Sequence, residues 1–124
     1  MTLALYGLIL FSVALSAGAQ IVLKTGMSSP AVQAALAGGT RLDALVGIAT
    51  SWGVILGLAM YGFGAVLWLF VLARIDVSKA YPFVGLGFLL TMAMGYFLLA
   101  EPVTVTRLLG TVLVAAGVYL VAAS

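Results

Sequence analysis

The sequence contains no cysteine and no histidine. Without thiols there is no disulfide and no thiolate nucleophile, and without imidazole the commonest metal ligand and general base is missing. Only three acidic residues occur in 124 positions, Asp43, Asp76 and Glu101, and no two share an apolar run. Enzyme activity, a metal centre and a cofactor are therefore not expected. Charge of either sign is scarce. Charged residues make up 6% of the chain, against about a quarter in a soluble domain, so this chain cannot coat itself for water. Five Lys and Arg leave a net charge of +2, too small and too scattered for nucleic-acid binding.

What is present is hydrocarbon and glycine. The chain is 65% hydrophobic with a mean hydropathy of +1.34, and 15 residues are glycine. Glycine at this level suits close packing of membrane helices. A spanning helix needs about 20 apolar residues, and four such runs are legible, at residues 3–23, 51–73, 80–100 and 105–123. The expected fold is all-α, one four-helix membrane domain over residues 1–124. The first run has no Lys or Arg before it, and everything downstream is equally apolar, so it reads as a span and not as a cleaved signal peptide.

Residues 25–50 read as a surface excursion, with Pro30 opening a short interfacial helix over residues 30–36. Asp43 is expected to cap the second span early, Ser78 the third and Thr104 the fourth. Lys24, Arg41 and Arg107 fall on one side of the membrane, Arg74 and Lys79 on the other. Three against two is almost no positive-inside bias. Either something else orients the chain, or it inserts both ways and pairs with an inverted copy. Its size favours pairing, since many transporters join two inverted halves around a site at their interface. Gly53 with Gly57, and Gly110 with Gly117, are the small-residue faces expected to pack that dimer.

The stretch "SAGAQIVLK" ends the first run and carries Ser16, Gln20 and Lys24 at a spacing of four. That spacing places all three along one drifting helical face. Lys24 lies one residue past the apolar run and reads either as a snorkelling anchor or as the cationic mouth of a polar path. Gln20 sits a turn deeper, where its amide needs a partner. The third run opens "AYPFVGLGF": Tyr81 is an interfacial aromatic or a lining residue, and Pro82, Gly85 and Gly87 let the helix change shape. Glu101 either bonds the free amides that open the fourth helix, or contacts a ligand or Arg107.

The segments "GLAMYGFGAVLWLFVLARIDVSKAYPFVGLGF" and "EPVTVTRLLGTVLVAAGVYLVAAS" resemble the four-helix members of the drug/metabolite transporter (EamA-like) superfamily. The likeness rests on the W-x-x-x-L ending of Trp68 and Leu72, and on the S-x-AYP entry of Ser78, Ala80, Tyr81 and Pro82. It also rests on the E-P-V-T turn of Glu101 to Thr104 and on Gly110, Gly117 and Val118. It covers most of the chain outside residues 25–51. Small multidrug resistance exporters of this superfamily resemble antiparallel dimers with an essential glutamate in helix one. The matching position here is Ser16, and no acid precedes Asp43, which argues against proton-coupled drug efflux.

The S-x-x-x-Q-x-x-x-K pattern with "AYP" is closer to the aminoarabinose-phosphoundecaprenol flippase subunits. That resemblance implies a multi-pass protein of the bacterial inner membrane that moves a polyprenyl-phosphate sugar or a similar anionic amphiphile. It implies work as a homodimer or as a heterodimer with a related small subunit, with membrane lipid as the other partner. Ser16, Gln20 and Lys24 would line the head-group groove, Lys24 meeting the phosphate. Trp68 and Tyr81 would flank it, and Glu101 and Arg107 would contact or gate it. The alternatives are a small-solute or drug exporter of the same fold and an accessory subunit of a lipid-glycosylation system.

Overall fold

The computed structural model describes residues 2–124, all helix and short connections, with no strand among them. Helix α1 runs Leu3–Met27, α2 Pro30–Ala37, α3 Arg41–Ala49 and α4 Trp52–Leu72. A four-residue helix α5 (Val77–Ala80) leads through a 3-10 turn (Tyr81–Val84) into α6 (Gly85–Leu99), and α7 (Val105–Ala123) closes the chain. Four of these stretches are long and apolar enough to cross a membrane: Leu3–Met27, Trp52–Leu72, Val77–Leu99 and Val105–Ala123. The first is a turn longer than the apolar run, so Lys24 is inside α1 and not beyond it.

The caps explain most boundaries. Thr2, Ser29, Thr40 and Thr104 each accept a hydrogen bond from the backbone N–H three residues on, opening α1, α2, α3 and α7. Each such cap satisfies one of the amides a helix start leaves free. Two expected caps are not used. Asp43 lies in the first turn of α3, where its own N–H donates to Thr40 Oγ1 at 3.1 Å, so it caps neither α3 nor the second span. Ser78 is inside α5, whose N-cap position belongs to Asp76. In both places a residue two or three positions earlier already holds the extended conformation a cap requires. The excursion thus holds two short helices where one was expected, α2 and α3 packing on each other.

In lipid, burial of hydrocarbon gives no net drive for helices to associate, and close van der Waals fit and interhelical hydrogen bonds decide. The α1–α4 pair has both. Along α1 the contact residues include Ser12, Ser16, Leu23 and Gly26, spaced by four, seven and three, and along α4 Gly53, Gly57 and Gly64, spaced by four and seven, while Met60 reaches Gly18. Such spacing keeps one face of each antiparallel helix on its partner over several turns. At the loop end the two backbones touch: a Cβ on Gly26 would stand 2.6 Å from the Val54 nitrogen and 2.8 Å from the Gly53 carbonyl carbon. In mid-span the buried Ser12 Oγ donates to the Gly64 carbonyl at 2.9 Å. Gly53 and Gly57 therefore serve α1 of their own chain, not a dimer interface as the sequence suggests, because α1 brings Gly26 and Leu23 against them. Gly110 and Gly117 on α7 have nothing near their missing Cβ atoms.

At the other end a compact apolar core joins α1, α4, the 3-10 turn and α7, through Leu5, Ile9, Val13, Val71, Ala80, Phe83 and Val118. Tyr6 meets Phe83 edge to face, with ring centroids 6.4 Å apart. Helix α1 packs on both α4 and α6, α7 packs on α6, and α4 and α6 scarcely approach each other. A gap between α4 and α6, floored by α1, is the outcome.

Gly26→Ala and Gly62→Ala make the same chemical change on α1 and α4, but only the first meets backbone. Gly26→Ala is expected to cost about 1–3 kcal/mol, the usual range for overpacking. Gly62→Ala is expected to be neutral or stabilising, by up to about 1 kcal/mol of helix propensity. Thermal unfolding in mild detergent separates the two. Ser12→Ala is expected to cost about 0.6 kcal/mol, the mean for an interhelical hydrogen bond in a membrane, in the same assay.

Candidate functional site

The gap between α4 and α6 is an open cavity of about 600 Å³. Helix α1 supplies Ser12, Ser16, Ala17 and Gln20, α4 supplies Tyr61, Gly64 and Trp68, and the third span supplies Tyr81, Gly87 and Thr91. None of its lining residues comes from α7. Ser12, Ser16 and Gln20 are successive members of a four-residue spacing, and that drift of about 40° per step carries the polar stripe off the α4 seam and into the gap. Ser16 stands on the border: its Oγ is 3.1 Å from where a Gly64 Cβ would be. Glycine at 64 therefore leaves room for the hydroxyl as well as for the backbone contact.

The hydroxyls differ in how free they are. Ser12 is committed to Gly64, and Thr91 donates back to the Gly87 carbonyl at 2.5 Å within its own helix. Ser16 is half-buried and Gln20 exposed on the cavity wall, which leaves the Gln20 amide to a ligand or to water. Trp68 is half-buried and Tyr81 exposed, one on each side of the gap towards the end where α5 begins. The lining has hydrogen-bonding groups and aromatic faces but no carboxylate, guanidinium or ammonium. Such a wall holds polar groups by hydrogen bonds and stacking, and it has no acid with which to exchange a proton for a cation.

Of the residues singled out from sequence, Ser16, Gln20, Trp68, Tyr81 and Gly87 meet in this cavity. Lys24 does not line it; it is exposed near the end of α1, one turn past Gln20. Pro82 lies in the 3-10 turn, and Gly85 faces α7, where a Cβ would come within 2.9 Å of Val114 Cγ1. Ser12, Tyr61 and Thr91 are lining residues that the sequence reading did not single out. Ser12 carried a signal, since it continues the Ser16–Gln20 spacing one turn towards the N-terminus. Thr91 is one turn past Gly87 on α6.

Glu101 and Arg107 line a second cavity, of about 480 Å³ between α6 and α7, together with Met92, Tyr96, Pro102 and Thr111. Phe88 and Thr91 border both cavities. Arg107 Nη1 donates to the Pro102 carbonyl at 2.9 Å, and Thr111 Oγ1 donates to the Arg107 carbonyl at 2.7 Å. The α7 start is capped by Thr104. Glu101 therefore does not close that helix end, one of the two roles open to it from sequence; its carboxylate lies over Gly95 on α6.

Residues 1–123 match the model of the EamA-like transporter family. Over 64 residues the chain is 44% identical to the probable 4-amino-4-deoxy-L-arabinose-phosphoundecaprenol flippase subunit ArnE of Pseudomonas syringae pv. syringae, 52% of this chain and 59% of that protein. The stretch shared with this relative is thus about three-fifths of its length. The Pseudomonas aeruginosa (strain UCBPP-PA14) protein of the same name is 39% identical over 69 residues, 56% of this chain and 60% of that protein. The protein of the same name from Enterobacter sp. (strain 638) is 31% identical over 116 residues, 93% of this chain and 94% of that protein. No solved structure matches. With nearly its whole length covered by the family model and by one of these relatives, the chain belongs to the EamA-like transporter family.

Proposed function

We propose that this chain is one subunit of a flippase that moves a polyprenyl-phosphate-linked sugar, or a similar anionic amphiphile, across the bacterial inner membrane. The observation that carries this reading is the charge-free cavity between α4 and α6, where hydroxyls and an amide are set among apolar and aromatic side chains along one flank of the bundle. A polar head enters such a gap sideways while its hydrocarbon tail stays in lipid. Ser16 and Gln20 bond the sugar, and Trp68 and Tyr81 stack on it or bracket it. The names of the relatives support the same substrate class. Lys24, exposed at the loop end of α1, meets the phosphate as a point charge where the head enters or leaves.

The cavity has three helical walls and no fourth, so a second four-helix chain, a copy or a related small subunit, closes it. Helix α7 is the contact surface for that partner. It packs on the third span, Gly117 is exposed on it, and Gly110 opens onto the α6–α7 cavity.

Gln20→Leu is expected to weaken binding of a short-chain polyprenyl phosphate sugar by about 1 kcal/mol or more, the worth of one hydrogen bond. Lys24→Ala is expected to weaken it far more than Arg74→Ala, which removes a cation from the opposite membrane face. Titration of tryptophan fluorescence in nanodiscs reads all three, and equal effects of the two cation variants would remove the phosphate role from Lys24. Gly117→Leu is expected to shift the protein towards monomer on cross-linking in membranes without lowering its unfolding temperature.

A further inference from the structure

The hairpin of α2 and α3 has two outer faces of different chemistry. Val32 is fully buried in it, and a Cβ on Gly47 would stand 2.5 Å from the Ala35 Cβ. Ala44, Gly47 and Ile48 are half-buried on that inner side of α3. The opposite side carries Leu42, Leu45 and Val46, which are 71%, 65% and 54% exposed. At 100° per residue the two sets point in opposite directions, so a helix of nine residues presents hydrocarbon both inward and outward. On α2 the positions turned away from Val32 and Ala35 are Pro30, Gln33, Ala34 and Ala37, all exposed. None of these is a large apolar side chain.

Both ends of the hairpin are held at the membrane. Only Thr50 and Ser51 join α3 to α4, which keeps the end of α3 within about 10 Å of the first residue of a span. That residue is Trp52, exposed and of the type that stands at the membrane–water boundary. At the α1 side Gln33 Nε2 donates to the Met27 carbonyl at 2.7 Å, tying α2 to the last residue of α1. Arg41 and Asp43 flank the exposed face of α3, where an interfacial helix keeps its charge in the head-group layer. Three side chains are too small a patch for a stable protein interface, which takes roughly 800 Å² per partner. A helix already tethered to the bilayer needs no such area.

We propose that α3 lies in the membrane interface, with Leu42, Leu45 and Val46 in the acyl boundary and α2 stacked above it on the water side. The interfacial place that the sequence offers residues 30–36 thus passes to α3. The occupant of the exposed face is the lipid surface itself, whatever the bundle transports. The consequence is a fixed depth for the end of the α1–α4 pair where Lys24 is exposed, because the two-residue link gives α3 and α4 little independent movement.

The chain has no cysteine, so single nitroxide labels can be placed on the full protein in nanodiscs of phosphatidylethanolamine and phosphatidylglycerol. Labels on Leu45→Cys and on Ala34→Cys are compared by their relaxation in oxygen, which concentrates in lipid, and in a water-soluble nickel chelate. The label at 45 is expected about 5–10 Å inside the head-group boundary, relaxed by oxygen and shielded from nickel, and the label at 34 the reverse. Nickel access at 45 equal to that at 34 places the face in water and overturns the proposal. Protection of 45 from both reagents places protein over the face and overturns it equally. A label on Val46→Cys supplies a second reading. Leu42→Glu with Leu45→Glu is expected to raise its nickel access severalfold and to keep the unfolding temperature in detergent, since neither leucine packs in the core. An unchanged label at 46 means that lipid does not hold this face, and α3 is then no interfacial element.

Discussion

The contact of α1 with α4 through glycine is the constraint on which the rest of the structure depends. Gly26 and Gly53 bring two backbones together at the loop end, and Gly57 and Gly64 keep room for Leu23 and Ser16 further along. In a bilayer such a fit replaces the hydrophobic drive a soluble bundle would have. It also fixes which face of α1 remains. With Leu23 and Gly26 turned to α4, the face carrying Ser16 and Gln20 is left at the margin of the contact. Helix α6 reaches α1 from the other side without reaching α4. The cavity is thus a consequence of α1 serving two partners that do not serve each other.

Much of this was legible because membranes constrain sequence strongly. Every backbone amide in hydrocarbon must be satisfied within its own helix, so the four spans appear as long apolar runs. Ser16, Gln20, Trp68 and Tyr81 were equally legible, since polar and aromatic side chains are conspicuous in such a background. What the sequence could not assign was partnership. Gly53 and Gly57 form a packing motif whichever helix they meet, and nothing in their spacing separates a neighbour in the same chain from one in a second copy. Local competition hid the excursion: Thr40 and Asp76 hold the cap positions expected of Asp43 and Ser78. The fold-back of Glu101 depends on a left-handed Ala100, and a conformation that alanine disfavours leaves no sequence signal.

The distribution of charge follows the cost of placing it in a layer of low dielectric. A fixed charge in mid-membrane costs about 2.5–3.5 kcal/mol on insertion scales. The first cavity avoids that cost, its polar groups being hydroxyls and an amide among apolar and aromatic side chains. Lys24, Glu101 and Arg107 are kept near the membrane end shared by the α1 C-terminus and the α7 N-terminus. Charge is thus kept where water lowers its cost, and the cavity wall is left with neutral groups whose contacts are individually weak.

That division also explains why the third span is the broken one. Pro82 lacks an amide hydrogen, and the 3-10 turn of Tyr81–Val84 absorbs the missing bond at the head of α6. The same turn carries Tyr81 on the cavity wall and Phe83 in the apolar core against Tyr6. Gly85 follows at once, packed directly on Val114 and Val118 of α7. A rotation of this turn would therefore move a cavity aromatic and the α6–α7 contact together, while the α1–α4 seam, bonded through Ser12 and Gly64, stayed fixed. The cavity is thus bounded by one pair of helices joined backbone to backbone and by one span that is broken where it enters the wall.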